Sequence, residues 1–389
     1  MQFRTASVRL ALGAIGVGGA AALIIFWWTM RPSPAVNEYR RGKDLAAIGM
    51  LNSAREAYTD AIRRDANYAP PYRALAEMAV SAGNNSASIG YWHAYLARMP
   101  QAKHAWARLA QTEMTVGLDV PALHDAQQEL RINPGSASAH LILGILDAKR
   151  SQAKSALLHL AIAVRAYPDN LQAKLLYGKA LALTGQYDLA EVELNQILQK
   201  TTAHPEPYLW LGYIYARLPA DSINRHDAEK YLLHALVLNP DYPQANFELG
   251  HLRCLQRRYS QAIPLLKKAI AGKKHYIAAL YVLALAQSAL GEKAQAQHTQ
   301  EIFLKQSDLK ARQDALLKQY ANNPNSVPLE LELGQVEIQR DEPFAALIFL
   351  RPAHHSAPQD TNIQKSLQQA ESMQAHEQEQ PALPQNNMP

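Results

Sequence analysis

The chain of 389 residues has a single cysteine, Cys254. One thiol excludes an intramolecular disulfide, a cysteine-based zinc site and a CxxC redox pair. Cys254 therefore reads as a small apolar packing group. Aromatic residues are 7% and charged residues 19% of the chain. The charged share lies below the usual quarter, which excludes a disordered polyelectrolyte. No HExxH, GxSxG, GxxxxGK[ST] or GxGxxG occurs. A zincin helix, a hydrolase elbow, a P-loop and a dinucleotide fingerprint are thus missing from the sequence. With no nucleophile set, metal set or cofactor motif, neither an enzyme activity nor a cofactor is expected. The adjacent His354 and His355 cannot share one helix face as an i,i+4 pair would, and they read as solvated polar residues. The net charge of +5 is mild. It permits an anionic partner without requiring one. Nucleic acid is not expected, because the basic clusters lack the interleaved aromatics used to stack single strands.

Against this scarcity stands one long apolar run. Met1 to Arg9 is short and basic, and residues 10–30 then carry no charge and end in Phe26-Trp27-Trp28. At 1.5 Å per residue the run is long enough for a helix that crosses a bilayer core, with tryptophans at headgroup depth. A cleaved signal peptide has a shorter apolar region, and a buried core helix is the third reading. The run is read as an uncleaved signal-anchor, with the lipid bilayer as partner. Arg31, Arg40, Arg41 and Lys43 follow it, and a bare charge count would place the rest in the cytoplasm. Long domains translocate largely regardless of charge, so a single-pass inner-membrane protein with its large domain in the periplasm is the expectation, and the cytoplasmic orientation is the alternative.

The remainder is repetitive. Small residues recur in pairs: Gly42/Ala54, Ala76/Ser88, Ala110/Ala122, Gly144/Ala156, Gly178/Ala190, Gly212/Ala228, Gly250/Ala262, Ala284/Ala296 and Gly334/Ala346. Every pair is separated by twelve residues except Gly212/Ala228, whose extra four fall in the stretch 218–227. Two helices joined by a short turn approach closely only where side chains are small. Gly49, Gly83, Gly117, Gly185 and Gly291 each stand seven residues after a first small residue, where a helix should end in a left-handed cap. Pro100, Pro134 and Pro168 recur every 34 residues and end the second helices.

A 34-residue helical hairpin resembles the tetratricopeptide repeat (TPR) family. The family's Trp/Leu/Gly opening is matched by Trp106, Leu109 and Ala110, and by Tyr208, Leu211, Gly212 and Tyr215. Its Ala…Pro ending is matched by Ala163 and Pro168, and by Ala235 and Pro240. Tyr95 and Glu129 replace the usual small residue late in their repeats. The resemblance implies an all-α, right-handed superhelical TPR solenoid of about nine repeats, here preceded by one transmembrane helix. The expected order is a basic tail 1–9, the span 10–30, a linker 31–34 and repeats one to eight over 35–308. Residues 309–326 either continue the helix before them or form a spacer. A ninth repeat at 327–360, a capping helix at 361–375 and a disordered tail at 376–389 complete the chain.

Family members bind ligands along the first helices, which line a concave groove. Position by position this implies Tyr39, Lys43, Arg73, Glu77, His104, Gln111, Met114, Leu141, Ile145, Leu175 and Lys179. Leu209, Tyr213, Phe247, His251, Tyr281 and Leu285 continue the face, which becomes apolar and aromatic toward the carboxyl side. Such a stripe favours a protein or peptide partner. A bacterial, membrane-tethered scaffold of this kind is expected to assemble a cell-envelope system, in polysaccharide export, secretion or cytochrome maturation. The alternative is an anionic polymer, such as an exopolysaccharide, bound on Lys267, Lys268, Lys273 and Lys274.

Overall fold

The computed structural model describes residues 33–219, 222–324 and 326–379. Among the described residues there are nineteen α-helices and no strand. They are α1 (Pro34–Ala47), α2 (Leu51–Arg64), α3 (Pro70–Ser81), α4 (Asn85–Arg98), α5 (Ala105–Thr115), α6 (Asp119–Ile132), α7 (Ala137–Lys149), α8 (Ala153–Ala166), α9 (Leu171–Leu183) and α10 (Tyr187–Lys200). Then follow α11 (Pro205–Tyr215), α12 (Ser222–Leu238), α13 (Pro243–Leu255), α14 (Tyr259–Gly272), α15 (Ile277–Ala289), α16 (Lys293–Asn322), α17 (Val327–Gln339), α18 (Pro343–Ser356) and α19 (Thr361–Glu379). The chain divides into two compact units, Met1–Glu193 and Leu194–Pro389.

In the first unit α1/α2, α3/α4, α5/α6 and α7/α8 form hairpins, and α9 packs on α8. In the second, α11/α12, α13/α14, α15/α16 and α17/α18 pair, and α19 covers α18. The small pairs sit at the crossings, and their second members Ala54, Ala156, Ala262 and Ala346 are fully buried. The glycines do more than meet an alanine. A Cβ on Gly144 would lie 2.6 Å from Leu160 Cγ, and one on Gly250 would lie 2.9 Å from Leu266 Cγ. Gly42 receives Tyr58, Gly212 receives Leu232 and Gly334 receives Leu350 in the same way. Each guest stands four residues after the alanine of the pair, one helical turn on. The third hairpin has Ala110 at the first position, and its corresponding guest is the small Ala126.

The turn seven residues after the first small residue is left-handed in eight of the nine hairpins, the exception being the elongated sixth, where Pro219 stands at that position. Gly185 has φ +82, and where glycine is missing the same conformation is taken by Ser151, Arg257 and Asp341 at φ 58, 59 and 61. The bonds Gln186 N–H to Leu181 O and Gln152 N–H to Asp147 O, both 2.9 Å, show why: the turn must return donors to the last helical carbonyls. Second-repeat and fifth-repeat helices start on an asparagine cap, with Asn84 and Asn170 accepting from Ala87 N–H and Ala173 N–H at 3.0 Å. Asn170→Ala is expected to cost about 1 kcal/mol. A urea-unfolding midpoint unchanged by that substitution would show the cap to be idle.

Helix α16 is a single helix of 30 residues, about 45 Å long. Its first half closes the eighth hairpin, with Thr299 Oγ1–H donating to Gln287 at 2.8 Å. Its second half carries Leu316, which clusters with Leu333 and Val336 of α17. The ninth hairpin therefore leans on the distal end of α16, displaced along it from the eighth. One consequence is a contact that skips a hairpin. Lys274, in the loop after α14, reaches Glu377 of α19 at 2.7 Å and Asp341 at 3.8 Å. Its neighbour His275 lies 3.3 Å from Glu342. In an unbroken solenoid each repeat touches only its neighbours.

The transmembrane helix expected ahead of the array, and with it a single-pass membrane protein, is corrected here. No described helix is long and apolar enough to cross a membrane. The longest, α16, carries Lys305, Asp308, Lys310, Arg312 and Asp314 at its centre, and the apolar α15 has only 13 residues. A span needs about 20 apolar residues. The run 10–30 lies outside the described residues. At the other end α19 extends past Ala375 to Glu379.

Candidate functional site

The first helices α1 and α3 bring Tyr39 and Arg73 into one cavity of about 690 Å³, with Tyr68, Glu77, Tyr95 and Arg98 around it. Tyr39 packs 5.6 Å from Tyr58 and edge-on to Tyr68 at 5.7 Å. Burial, then the neighbouring Tyr68, raises the Tyr39 phenol above its usual range. Arg73 donates to Glu77 at 2.9 Å. Arg98 lies 4.1 Å from the Tyr72 ring centre and donates to the Ala66 and Ala94 carbonyls. The cavity is aromatic, and these two cations are engaged at its wall. Lys43, His104 and Gln111 are exposed. Met114 and Leu141 pack against buried clusters. Ile145, Leu175 and Lys179 are half-buried.

In the second unit Leu209 is core, 3% exposed. Tyr213 stands 5.0 Å from Trp210 and carries the Arg217 guanidinium at 3.3 Å over its ring. Arg217 in turn donates to both oxygens of the buried Glu248 at 3.1 and 3.5 Å. Phe247 stacks on His251 at 5.9 Å, meets Tyr276 at a tilt with ring centres 5.0 Å apart, and packs against the α14–α15 core. Burial lowers the His251 imidazole, and burial followed by the Glu248 charge raises the Tyr276 phenol. Cys254 joins the same cluster, and burial pushes its thiol up to about 11, so it stays protonated. Tyr281 and Leu285, one turn apart on α15, are 51% and 52% exposed. With Phe303 of α16, 5.5 Å from Tyr281, they line a cavity of about 580 Å³.

The four lysines cluster at the end of α14. Lys267 and Lys268 are exposed on the helix, with Lys268 3.9 Å from Asp241. Lys273 lies 4.6 Å over the Tyr276 ring, and Lys274 holds Glu377 and Asp341. Three of the four therefore have partners.

One class of residue escaped the pattern of small pairs. Three positions beyond each pair spaced by twelve, the same spacing sets a second couple face to face. In three hairpins that couple is polar: Glu113 with Asp125, Asp147 with His159, and Gln287 with Thr299. Glu113 and Asp125 are 2% and 5% exposed. Burial, then the Asp125 charge, pushes the Glu113 carboxyl up to about 8. In the fourth hairpin Asp147 accepts from the Ser155 hydroxyl, and His159 Nδ1 meets His140 Nδ1 at 2.8 Å. The serine hydroxyl is turned to the carboxylate and not to an imidazole, so the Ser–His pair of an activated nucleophile is not formed here. Among the described residues no group of three or more His, Cys, Asp or Glu is placed to hold a metal ion.

Among solved structures, the chain is similar to the crystal structure of MamA, at 22% identity over 45% of this chain and 93% of that one, with a TM-score of 0.35. A tetratricopeptide repeat protein from Parabacteroides merdae is 15% identical over 68% and 97%, with a TM-score of 0.39. The human IFIT1 dimer with m7Gppp-AAAA is 14% identical over 84% and 91%, with a TM-score of 0.44. No curated protein matches the chain. Residues 143–206, the segment from the fourth small pair into α11, match the tetratricopeptide repeat family.

Proposed function

We propose that this chain is a non-catalytic scaffold that binds a protein or peptide partner on the face made by its first helices. The observation that carries the reading is the pair Tyr281 and Leu285, half-exposed beside Phe303 in a cavity of about 580 Å³. Two large apolar side chains one turn apart lose hydration cost only when something covers them. An aromatic anchor in a pocket is the usual centre of a protein interface. Phe247 packs against the α14–α15 core that carries that surface. An anionic polymer on Lys267, Lys268, Lys273 and Lys274 is the weaker reading, because Lys268, Lys273 and Lys274 already lean on Asp241, Tyr276, Asp341 and Glu377.

The test is a synthetic peptide array probed with the full chain. Tyr281→Asp with Leu285→Asp is expected to lose about 2 kcal/mol or more of binding, roughly 30-fold in affinity, with the far-UV circular dichroism unchanged. The exposed positions make unfolding by these substitutions unexpected. A variant that retains the wild-type peptides at wild-type strength would remove α15 from the site.

A further inference from the structure

Helices α6, α7 and α8 of the first unit line a second kind of cavity, of about 500 Å³ and open to solvent on one side. That size is within the range of small-molecule sites. Its floor is apolar, from Leu123, Leu130 and Leu143, and its rim carries Arg131, Arg150 and His159. Arg131 donates only to the neutral Gln128, at 3.4 Å. Among the described residues neither arginine has a carboxylate partner, in contrast to Arg217 and Arg253, which each hold one.

The one carboxylate at the wall is Asp147, 6% exposed. It is already engaged by the Ser155 hydroxyl, with His159 Nε2 4.0 Å away. The histidine tautomers follow from their partners. His140 Nε2 lies 3.0 Å from the Pro134 carbonyl, which only accepts, so that nitrogen carries the hydrogen. A neutral His140 then accepts at Nδ1, and His159 donates from its own Nδ1 across 2.8 Å. The lone pair of His159 is left on Nε2, with no hydrogen bond, at the cavity wall. The cavity thus offers two guanidiniums without a carboxylate, one proton-accepting nitrogen and three leucines.

We propose that this cavity binds a small organic anion: an oxyanion head, phosphate monoester or carboxylate, on an apolar body. Arg131 and Arg150 pair with the head, since guanidinium matches both oxyanions through parallel N–H donors. His159 Nε2 accepts the proton of a protonated head. The leucines take the body. The proposal rests on α6, α7 and α8 alone and does not depend on Tyr281 and Leu285.

Calorimetric titration of the full chain with octanoate, phenyl phosphate, inorganic phosphate and 1-octanol tests this. Octanoate and phenyl phosphate are each expected to bind roughly tenfold or more tightly than inorganic phosphate or 1-octanol, because only they use both head and floor. The tighter of the two identifies the head group. The double variant Arg131→Gln with Arg150→Gln, exposed positions that leave the core untouched, is expected to weaken both by roughly tenfold or more. Added salt should weaken wild-type binding of both anions. Failure of both organic anions to bind overturns the proposal. So does a double variant with wild-type affinity, an affinity indifferent to salt, or inorganic phosphate binding as tightly as the organic anions.

Discussion

Gly144→Ala is expected to destabilise the fourth hairpin by about 2 kcal/mol, the typical cost of overpacking a filled core. The added Cβ would meet Leu160 Cγ at 2.6 Å and the Leu160 backbone nitrogen at 3.4 Å. Leu160 is fully buried and cannot rotate into solvent, so the two helices must part. Leu160→Ala alone is expected to cost about 3 kcal/mol, from lost burial and the cavity left behind. The double variant should cost no more than Leu160→Ala alone. An alanine at each position is the combination the third hairpin already uses at Ala110 and Ala126, both fully buried. The coupling between the two sites should therefore be about 2 kcal/mol, read from urea-unfolding midpoints of all four proteins. Additive losses would mean that the glycine and its guest do not share one space.

This guest shows where the sequence was legible and where it was not. The small pairs, the turn glycines and the helix-ending prolines are local or fixed-period signals, and each follows from one backbone requirement. The periodic reading therefore reached the hairpins and their turns. It took the glycine's neighbour to be an alanine, because both are small. The real constraint is a size exchange sixteen residues apart, as between Gly144 and Leu160, and size complementarity leaves no single-letter signature. The turn signal was also partial: Ser151, Arg257 and Asp341 adopt the glycine conformation without the glycine.

The surface was less legible than the core. A position on a first helix says which way a residue leans, not what stands opposite. Leu209 proved to be core, whereas Tyr281 and Leu285 are half-exposed. Glu129 seemed a packing defect in place of a small residue. It is fully buried, and its Oε1 accepts the His104 N–H at 2.8 Å, holding the left-handed residue that starts α5. The run 10–30 was read as a span from its uncharged length, its terminal tryptophans and its basic flanks, and no described helix is long and apolar enough to cross a membrane.

Glu113→Gln is expected to raise stability, and to raise it more at pH 8 than at pH 5. Glu113 is 2% exposed, its Oε2 has no hydrogen-bond partner, and Asp125 faces it across the hairpin. Burial and that neighbouring charge disfavour the carboxylate, which is why the carboxyl is pushed up to about 8. The sign follows from proton counts. An unfolded glutamate releases its proton near pH 4.3, and the folded one holds it until about pH 8. Between those values the native state binds more protons than the unfolded state. Stability therefore falls as pH rises through that window and levels off above it. The substituted glutamine keeps the shape of the protonated side chain and has no proton to lose. Its advantage is expected to be near zero at about pH 4 and to reach about 2 kcal/mol or more by about pH 8. His93 lies 4.0 Å from Glu113 and His124 2.7 Å from Asp125, so both imidazoles face the carboxyl pair. Unfolding midpoints of the two proteins at several pH values would read the difference directly. A constant offset from pH 4 to pH 8 would show that Glu113 is ionised throughout, and that the hairpin tolerates two facing carboxylates.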